Sequence, residues 1–178
     1  YNPLDPVPSA GGAMLGKRSG IQLQNAIESR PDVLVYTTSP LSEPVNVTGP
    51  VRVILYVSTS ALSTDFMAKL VDVHMDESAY NLCDGVLRRD YELTQNRDKA
   101  PVKIEIDLWP TSNMFLKGHK IRLEISSSNF PRYDRNTNTG EFLPTATKVV
   151  SATQTIFHSN QYPSRLILPV IPRHTRDQ

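Results

Sequence analysis

The sequence predicts an all-β antiparallel sandwich, and three observations support this fold class. Apolar and polar residues alternate in segments such as 102–108 and 120–126, and this period of two places one face of a strand on a core. Fourteen prolines lie between the apolar segments rather than inside long helical repeats, which excludes long helices from most of the chain. About eight strand candidates are separated by turn-rich stretches, which is the strand number of a jelly roll.

The strand candidates differ in how completely we expect them to be buried. Residues 51–57 and 66–73 are apolar on both faces, which predicts central strands that are covered on both sides, or on one side by the sandwich and on the other by a neighbouring domain. Segment 102–108 alternates strictly and is expected to end at Trp109, because Pro110 follows and cannot donate to a ladder. The shorter candidates are residues 32–38, 86–91, 152–158 and 165–169.

The chain is expected to divide into an N-terminal arm, a sandwich and a short tail. Three prolines among residues 1–8, followed by Gly11-Gly12, predict an extended segment with a flexible joint. This arm either leaves the sandwich or links it to a preceding domain. The predicted boundaries are 1–31 for the extended arm, 32–172 for the jelly-roll sandwich and 173–178 for the C-terminal tail.

Charge and hydropathy exclude several classes of partner. Nineteen Lys and Arg residues against eighteen Asp and Glu residues leave a formal net charge of +1, so there is no basic excess to neutralise nucleic-acid phosphates. No apolar run approaches the ~18–20 residues of a membrane-spanning helix. Neither nucleic acid nor a membrane is therefore an expected partner. The chain begins at Tyr1 rather than at a methionine, and we expect it to be part of a longer protein.

The sequence lacks the motifs of the common enzyme sites. Residues 16–20 read Gly-Lys-Arg-Ser-Gly, which is not the Gly-x-Ser-x-Gly turn of serine hydrolases. Neither a phosphate-binding loop nor a dinucleotide-binding glycine fingerprint occurs. The single cysteine, Cys83, follows Leu82 and is expected to be a small core residue rather than a nucleophile. None of these common catalytic motifs is found, and no cofactor is predicted for this chain.

Asp72, His74 and Asp76 combine metal-ligating side chains with regular spacing. On a strand, residues i, i+2 and i+4 project from one face, and two carboxylates with an imidazole could hold a divalent cation. The alternative is a solvated polar face at the end of a strand that runs into the turn at 76–78. Because an isolated trio rarely supplies enough ligands, the sequence favours the polar face and predicts no metal site.

The loop that follows the strand at 120–126 has the most unusual composition. Residues 126–140 read Ser-Ser-Ser-Asn-Phe-Pro-Arg-Tyr-Asp-Arg-Asn-Thr-Asn-Thr-Gly. Their Ser, Asn, Asp and Thr side chains can bond to the local backbone and hold a loop without regular structure. Two interpretations remain open: a loop braced on its own sandwich, or a surface shaped to contact another domain or a ligand. The long connections at 92–101 and 127–150 fit either one.

Five ordered motifs together resemble one domain family. The loop 126–140, with Gly-His-Lys-Ile-Arg at 118–122 before it, resembles the hallmark of a C-terminal non-catalytic domain found in X-Pro dipeptidyl-peptidases and cocaine-esterase-like serine hydrolases. Relatives of these enzymes include glutaryl acylases and α-amino-acid ester hydrolases. The other matching motifs lie at 1–8 with 11–12, 32–38 with 44–45, 64–73 with 84–88, and 163–170. The resemblance covers about residues 1–172.

The resemblance implies both a fold and a molecular context. The fold would be a jelly-roll sandwich of the galactose-binding-like type. The parent chain would carry an α/β-hydrolase domain and a helical cap upstream, and these would hold the catalytic Ser, Asp and His. This domain would then contribute no catalytic residue. It would pack on both upstream domains and help to shape the cleft for a small ester or amide substrate.

Particular residues acquire expected roles from their position in the family pattern. Met14 and Leu15, which follow the Gly-Gly pair, are expected to line the substrate cleft, and simple packing on the sandwich is the alternative for both. The sequence departs from the family at Gly16, where relatives often carry a large apolar or aromatic residue. A second departure is His74, where relatives tend to have an aromatic residue. The loop residues expected to dock on other domains are Asn129, Phe130, Arg132, Tyr133 and Arg135.

Two other functions stay open at this stage. The same kind of sandwich also hosts sugar-binding sites, so a carbohydrate-binding module is the alternative, although fold alone is weak support. One Trp, seven Tyr and five Phe give a modest supply of aromatic rings for a sugar platform. A purely structural domain that supplies dimer contacts is the third hypothesis, and the sequence is compatible with a homo-oligomer.

Overall fold

The computed structural model describes residues 1–90 and 101–172 of the 178-residue chain. The predicted tail 173–178 and most of the predicted loop 92–101 lie outside the described residues. The described residues form eight β-strands, one turn of α-helix and one 3₁₀ turn. In chain order these elements are α1 Asn25–Glu28, β1 Leu34–Thr37, β2 Val45–Thr59, β3 Ser63–Val73, β4 Ala79–Asp90, β5 Val102–Phe115, β6 Lys120–Ser126, the 3₁₀ turn Leu143–Thr145, β7 Gln154–Phe157 and β8 Arg165–Ile167.

The strands form two antiparallel sheets. One sheet has the order β1-β6-β3-β4, and the other has the order β5-β2-β7, with β8 also paired to β2. The predicted all-β antiparallel sandwich is thereby confirmed, and each predicted strand segment contains a strand. The finer assignment to the galactose-binding-like jelly rolls stays a prediction. Within the described ranges, no helix is long and apolar enough to span a membrane.

The core lies between the two sheets and is built from alternate residues of their strands. In β5, Ile104, Ile106 and Leu108 are buried, while the residues between them face solvent. The predicted period of two therefore holds in this strand. Strands β2, β3 and β6 contribute the facing side chains Val47, Val51, Val53, Leu55, Val57, Phe66, Ala68, Leu70, Leu123 and Ile125.

The sequence predicted that strand β5 ends before Pro110. This prediction is wrong, because the strand continues to Phe115. Trp109 has a positive φ of 67°, and the pairing with β2 changes register between Pro50 and Arg52. Because the ladder is irregular here, β5 can include Pro110 and continue beyond it. Because β5 lies at the edge of its sheet, the missing N–H of Pro110 does not deprive an outer neighbour of a hydrogen bond.

Gly85 allows the edges of the two sheets to approach each other. Strands β4 and β5 are edge strands of different sheets, and they lie in contact. A Cβ on Gly85 would overlap the backbone carbonyl of Asp107 in β5. A carbonyl fixed in a sheet cannot rotate away as a side chain can, so any larger residue here would force the sheets apart.

The N-terminal arm packs on the outer face of the β3 sheet rather than leaving the sandwich. Val7, Ile27 and Val33 form a small apolar cluster of the arm. Gln24 Oε1 accepts a hydrogen bond of 2.7 Å from Lys69 Nζ on β3. All eleven residues of β3 are buried, so the predicted covering of this segment on both sides is confirmed. The boundary between arm and sandwich at residue 31 stays a prediction.

Four charged side chains meet where α1 packs on the sheet. Lys69 Nζ lies 3.2 Å from Glu124 Oε2, and Arg122 donates a 2.7 Å hydrogen bond to Glu28 Oε2. Glu28 Oε1 and Glu124 Oε1 are buried without a hydrogen-bond partner among the described residues. Burial raises the pKa of Glu124 to about 7; Lys69 opposes this rise and Glu28 adds to it. A proton on Glu124 permits a hydrogen bond that two carboxylates cannot form.

We expect Gly85→Ala to lower the free energy of unfolding by about 1–3 kcal/mol, the usual cost of overpacking, because the new methyl group meets the Asp107 carbonyl. Urea unfolding followed by circular dichroism measures this change. Gly16→Ala is the control: Gly16 has a φ of 105° and no atom within 4 Å of the added Cβ, so backbone strain of about 1 kcal/mol is expected. Wild-type stability in Gly85→Ala would contradict the close approach of the sheets.

The stability of the fold should fall between pH 4.5 and pH 7 as Glu124 ionises. Its pKa is raised from 4.5 to about 7 in the folded protein, so the folded state binds more protons than the unfolded chain in this window. The stabilising contribution is fully present below pH 4.5 and is lost as the pH rises through 7, on the order of 2 kcal/mol. Urea unfolding at a series of pH values measures this slope.

Two variants identify the source of the slope. Glu124→Gln removes the titrating group, so its stability should change less across this pH range than that of the wild type. Glu105→Gln alters an exposed carboxylate paired with Arg52 and should keep the wild-type slope. An unchanged slope in Glu124→Gln would show that another group is responsible.

Candidate docking surface

The glycine-rich part of the arm, residues 12–20, forms a closed loop that we call the arm loop. Gly12 and Gly20 pair as an antiparallel bridge, with N–H···O distances of 2.8 and 3.0 Å. Their φ angles of 92° and 74° are positive, a conformation that glycine adopts at little steric cost. Leu15 is 98% exposed, and Met14 is half-buried. The two residues predicted to line a substrate cleft therefore lie on a loop that is closed at its base and exposed at its tip.

An apolar cleft lies beside the arm loop, and we call it the Trp109 cleft. Trp109 is 65% exposed and Ile21 is 64% exposed. Grouped exposed apolar side chains of this size mark interaction sites more often than single ones do. The cleft has a volume of about 560 Å³ and is lined by Gly12, Ala13, Gly20, Ile21, Leu82, Cys83, Asp84, Leu108, Trp109, Pro110, Arg132 and Tyr133.

A buried ion pair ties the walls of the Trp109 cleft to the sandwich. Asp84 in β4 pairs with Arg132, and their side chains are only 8% and 10% exposed. Asn129 Nδ2 donates a further hydrogen bond of 3.1 Å to Asp84. The Arg132 guanidinium also lies over the ring of Tyr133, 5.0 Å from its centroid. On its other side it lies against Gly12, where an added Cβ would overlap it. The arm loop, β4 and the loop 127–140 are thereby held together.

The loop 127–140 is braced by its own chain. The N–H of Ser9 donates to the Phe130 carbonyl at 2.6 Å, and the N–H of Phe130 donates to the Val7 carbonyl at 2.9 Å. Further along the loop, the buried Asn136 donates to Asp65 Oδ1 at 2.9 Å. These contacts support the braced-loop interpretation, and the exposed parts of the loop leave a role in docking open.

The five loop residues predicted to dock on other domains divide into two groups. Asn129 and Arg132 both bind the β4 carboxylate, and Arg135 donates a 2.9 Å hydrogen bond to a carbonyl of the arm. Phe130 is 41% exposed, and Tyr133 lines the Trp109 cleft. The first three residues therefore hold the loop on its own domain, whereas Phe130 and Tyr133 have surface that a partner could contact.

A second apolar groove lies along the edge strand β1. Every residue of β1 is exposed, including Leu34, Val35 and Tyr36. An uncovered edge strand with apolar side chains is a pairing hazard for a domain that stands alone. The groove has a volume of about 380 Å³ and is lined by Tyr36, Thr37, Thr38, Leu55, Ile121, Leu123, Ile156, His158, Ser164, Arg165 and Leu166.

The thiol of Cys83 lies at the Trp109 cleft but is not poised for reaction. Burial, together with the nearby carboxylates of Asp84 and Asp107, raises its pKa to about 12. A nucleophilic cysteine needs the opposite shift, toward a thiolate near neutral pH. Cys83 instead packs against the hydrophobic core, as expected from the sequence.

The fold does not bring Asp72, His74 and Asp76 together. Strand β3 ends one residue before His74, so the alternation does not extend to Asp76. Asp76 lies in the following turn, where the N–H of Ser78 donates to it at 3.0 Å and lowers its pKa. Asp72 and His74 instead meet His119, which comes from the turn before β6.

Sequence reasoning did not single out Ile21 or Asp84 as parts of this surface. For Trp109 the sequence predicts only the end of a strand. A signal for Asp84 was present, because a carboxylate inside a strand must find a donor or a positive charge. The partner, Arg132, is 48 residues away, and nothing local in the sequence identifies it.

Comparisons with known proteins give consistent results. The X-Pro dipeptidyl-peptidase C-terminal non-catalytic domain family matches residues 4–167. Cocaine esterase of Rhodococcus sp. (strain MB1 Bresler) is 45% identical over 185 residues, which cover 97% of this chain and 32% of that protein. An aminopeptidase from the marine sediment archaeon Thaumarchaeota archaeon has a TM-score of 0.81 at 29% identity, over 97% of this chain and 32% of its own. An α-amino acid ester hydrolase also has a TM-score of 0.81, at 26% identity over 96% and 32%. The chain thus spans about a third of the length of these relatives.

Arg132→Met should lower the free energy of unfolding by about 3–5 kcal/mol, because it leaves Asp84 buried without its counter-charge. Urea unfolding measures the loss, and limited proteolysis within residues 13–19 reports whether the arm loop detaches. Arg135→Met is the matched control. Arg135 is exposed and donates to a backbone carbonyl, so its loss should cost about 1 kcal/mol or less. Equal losses in the two variants would contradict the role of the buried pair.

Proposed function

Because this chain belongs to the family of X-Pro dipeptidyl-peptidase C-terminal non-catalytic domains, we propose that it completes the substrate cleft of a longer serine hydrolase. In this proposal an upstream α/β-hydrolase domain holds the catalytic Ser, Asp and His, and a helical cap covers the cleft. The present domain packs on both of them. The observation that carries the proposal is the exposed apolar surface formed by the arm loop and the Trp109 cleft.

The exposure of this surface favours a partner that covers it. Leu15, Ile21 and Trp109 are all more than 60% exposed. Burying a large apolar side chain contributes about 1.5–3 kcal/mol, and a contact with a neighbouring domain would gain this free energy. Because the arm loop is already held by its glycine bridge and by Arg132, docking would order few additional groups.

The names of the relatives favour an ester or amide bond in the substrate. The 45% identical relative is a cocaine esterase, and one structural neighbour is an α-amino acid ester hydrolase, while another is an aminopeptidase. A serine hydrolase cleaves such bonds through an acyl-enzyme, formed by a serine that a histidine activates. A domain that closes the cleft would exclude bulk water from this intermediate until hydrolysis.

Within this proposal, Met14 and Leu15 approach the substrate cleft from the tip of the arm loop. Gly16 follows them with a φ of 105° and open space beyond it. A large side chain at this position would be strained, so this loop differs in shape from those of relatives with a large residue there. The pocket beside Gly16 is therefore proposed to be roomier. Phe130 and Tyr133 extend the docking surface beyond the arm loop.

A carbohydrate-binding module is the second candidate, and the exposed ring of Trp109 is the observation that favours it. Sugar platforms combine an exposed aromatic ring with polar groups that bind hydroxyls. At the Trp109 cleft the two charged lining residues, Asp84 and Arg132, are already paired with each other. The remaining polar supply is small, which favours a protein surface over a glycan. A glycan-array screen of the chain tests this alternative directly.

The central test is to express the portion of the longer protein that precedes this chain, and to follow ester hydrolysis with and without the chain added. We expect mixing to increase the activity of the upstream portion, since its cleft would otherwise be open on one side. We expect the chain alone to show no ester hydrolysis that a serine-directed inhibitor blocks. Equal activity of the upstream portion with and without the chain would overturn the proposal.

Point variants connect this activity to the surface described above. Leu15→Asp and Trp109→Ser should reduce the stimulation at least about tenfold, because each places a polar group where two apolar surfaces meet. Phe142→Asp is the matched control, since Phe142 is 75% exposed but does not line the Trp109 cleft. Stimulation that resists both the Leu15 and the Trp109 variants would place the contact elsewhere, with the β1 groove as the next surface to mutate.

A further inference from the structure

Three side chains with metal-ligating atoms meet at one end of the sandwich. Asp72 belongs to β3, His74 follows that strand, and His119 immediately precedes β6. His119 Nδ1 lies 2.9 Å from Asp72 Oδ1, and His74 Nε2 lies 3.9 Å from Asp72 Oδ2. One ligand atom from each residue lies within 4.8 Å of the other two. Ligand atoms about 2.0–2.2 Å from one metal ion are roughly 3–4 Å apart, so small side-chain movements would bring all three onto one cation.

The Asp72 carboxylate is buried beside imidazoles rather than beside a lysine or an arginine. Its side chain is 8% exposed, and its ion-pair partners within residues 1–90 and 101–172 are the two histidines. The amide of Asn113 is 3.5 Å from Oδ2, which is too long for a strong hydrogen bond. A buried carboxylate is costly unless positive charge or several donors offset it. A neutral imidazole supplies a single N–H donor, whereas a divalent cation would supply the missing charge.

The two imidazole rings of the cluster also lie against each other. The rings of His74 and His119 are stacked, with centroids 4.4 Å apart and planes inclined by 30°.

The backbone holds the two histidines in place. The N–H of His74 donates to the Ser78 carbonyl at 2.9 Å, which closes the turn after β3. The His119 carbonyl accepts a 2.8 Å hydrogen bond from Leu41, and its N–H donates to Leu116 at 3.0 Å. Ligands fixed on strand ends and tight turns lose little freedom when a metal binds.

We propose that Asp72, His74 and His119 form a binding site for a divalent first-row transition metal, with zinc as the probe. Two imidazole nitrogens and one carboxylate oxygen suit zinc and its neighbours, whereas calcium and magnesium prefer sites made of oxygen atoms. The His74 side chain is 42% exposed, which gives a cation access and leaves coordination positions for water. The proposed site differs from the trio that the sequence analysis considered, because it contains His119 rather than Asp76. The proposal therefore departs from the prediction of no metal site.

Calorimetric titration of the chain with zinc chloride in a non-chelating buffer tests the proposal. We expect one zinc ion per chain and a Tm that rises with zinc, since a ligand that binds only the folded state stabilises it. His74→Phe removes a ligand but keeps a ring against His119 and against Tyr80, whose ring centroid is 4.9 Å away. It should weaken zinc binding at least about tenfold, and Asp72→Asn, which keeps the side-chain shape, should do the same.

His158→Phe is the matched control. His158 is exposed and contacts the ring of Tyr36 rather than this cluster, so this variant should bind zinc as the wild type does. Wild-type protein that binds no zinc at millimolar concentration would overturn the proposal. Wild-type affinity in His74→Phe would also overturn it. Loss of binding in all three variants, including His158→Phe, would show that zinc is held by scattered histidines instead.

Discussion

Strand β3 is buried on both faces although it carries Asp65, Lys69 and Asp72, and this constraint organises the molecule. An unpaired charge in such a place costs several kcal/mol, so each one requires a partner from another segment. Asp65 pairs with Arg88 of β4 and Lys69 pairs with Glu124 of β6, and irregular segments add further partners. Asn136 of the loop 127–140 binds Asp65, Gln24 of the arm binds Lys69, and His119 of the turn before β6 binds Asp72. The polar side chains of one strand thus help to hold three irregular segments against the sheet.

The same requirement builds the candidate docking surface. Asp84 in β4 recruits Arg132 and Asn129, and these contacts hold the loop 127–140 against the arm loop. These polar side chains therefore bind one another inside the domain, while Leu15 and Trp109 remain exposed. A surface whose ionic contacts lie beneath it and whose apolar side chains lie on top is suited to a neighbouring domain. A free monomer gains nothing from this distribution, which is why it supports a role inside a larger protein.

The extent to which the sequence predicted this surface differs from residue to residue. Met14 and Leu15 were predicted by their position after a glycine pair, and the structure places them on a projecting loop. The loop residues were named together, but burial divides them, because Asn129 and Arg132 face a carboxylate that sequence order could not bring near. The two contacts with Asp84 join residues that are 45 and 48 positions apart in the sequence. They depend on the order of strands in the sheet, which a local sequence pattern does not specify.

Sequence patterns predicted the all-β class, the approximate position of each strand in the described residues, and the domain family. These properties are local or follow from ordered motifs, since a period of two needs only neighbouring residues to specify a half-buried strand. The tertiary structure alone decided that β5 passes Pro110, because a proline is tolerated only where the strand is an edge. It also decided that Asp72 meets His119 rather than Asp76. Antiparallel pairing of β3 with β6 sets Val73 opposite Lys120, and this register carries a histidine to a carboxylate 47 residues away.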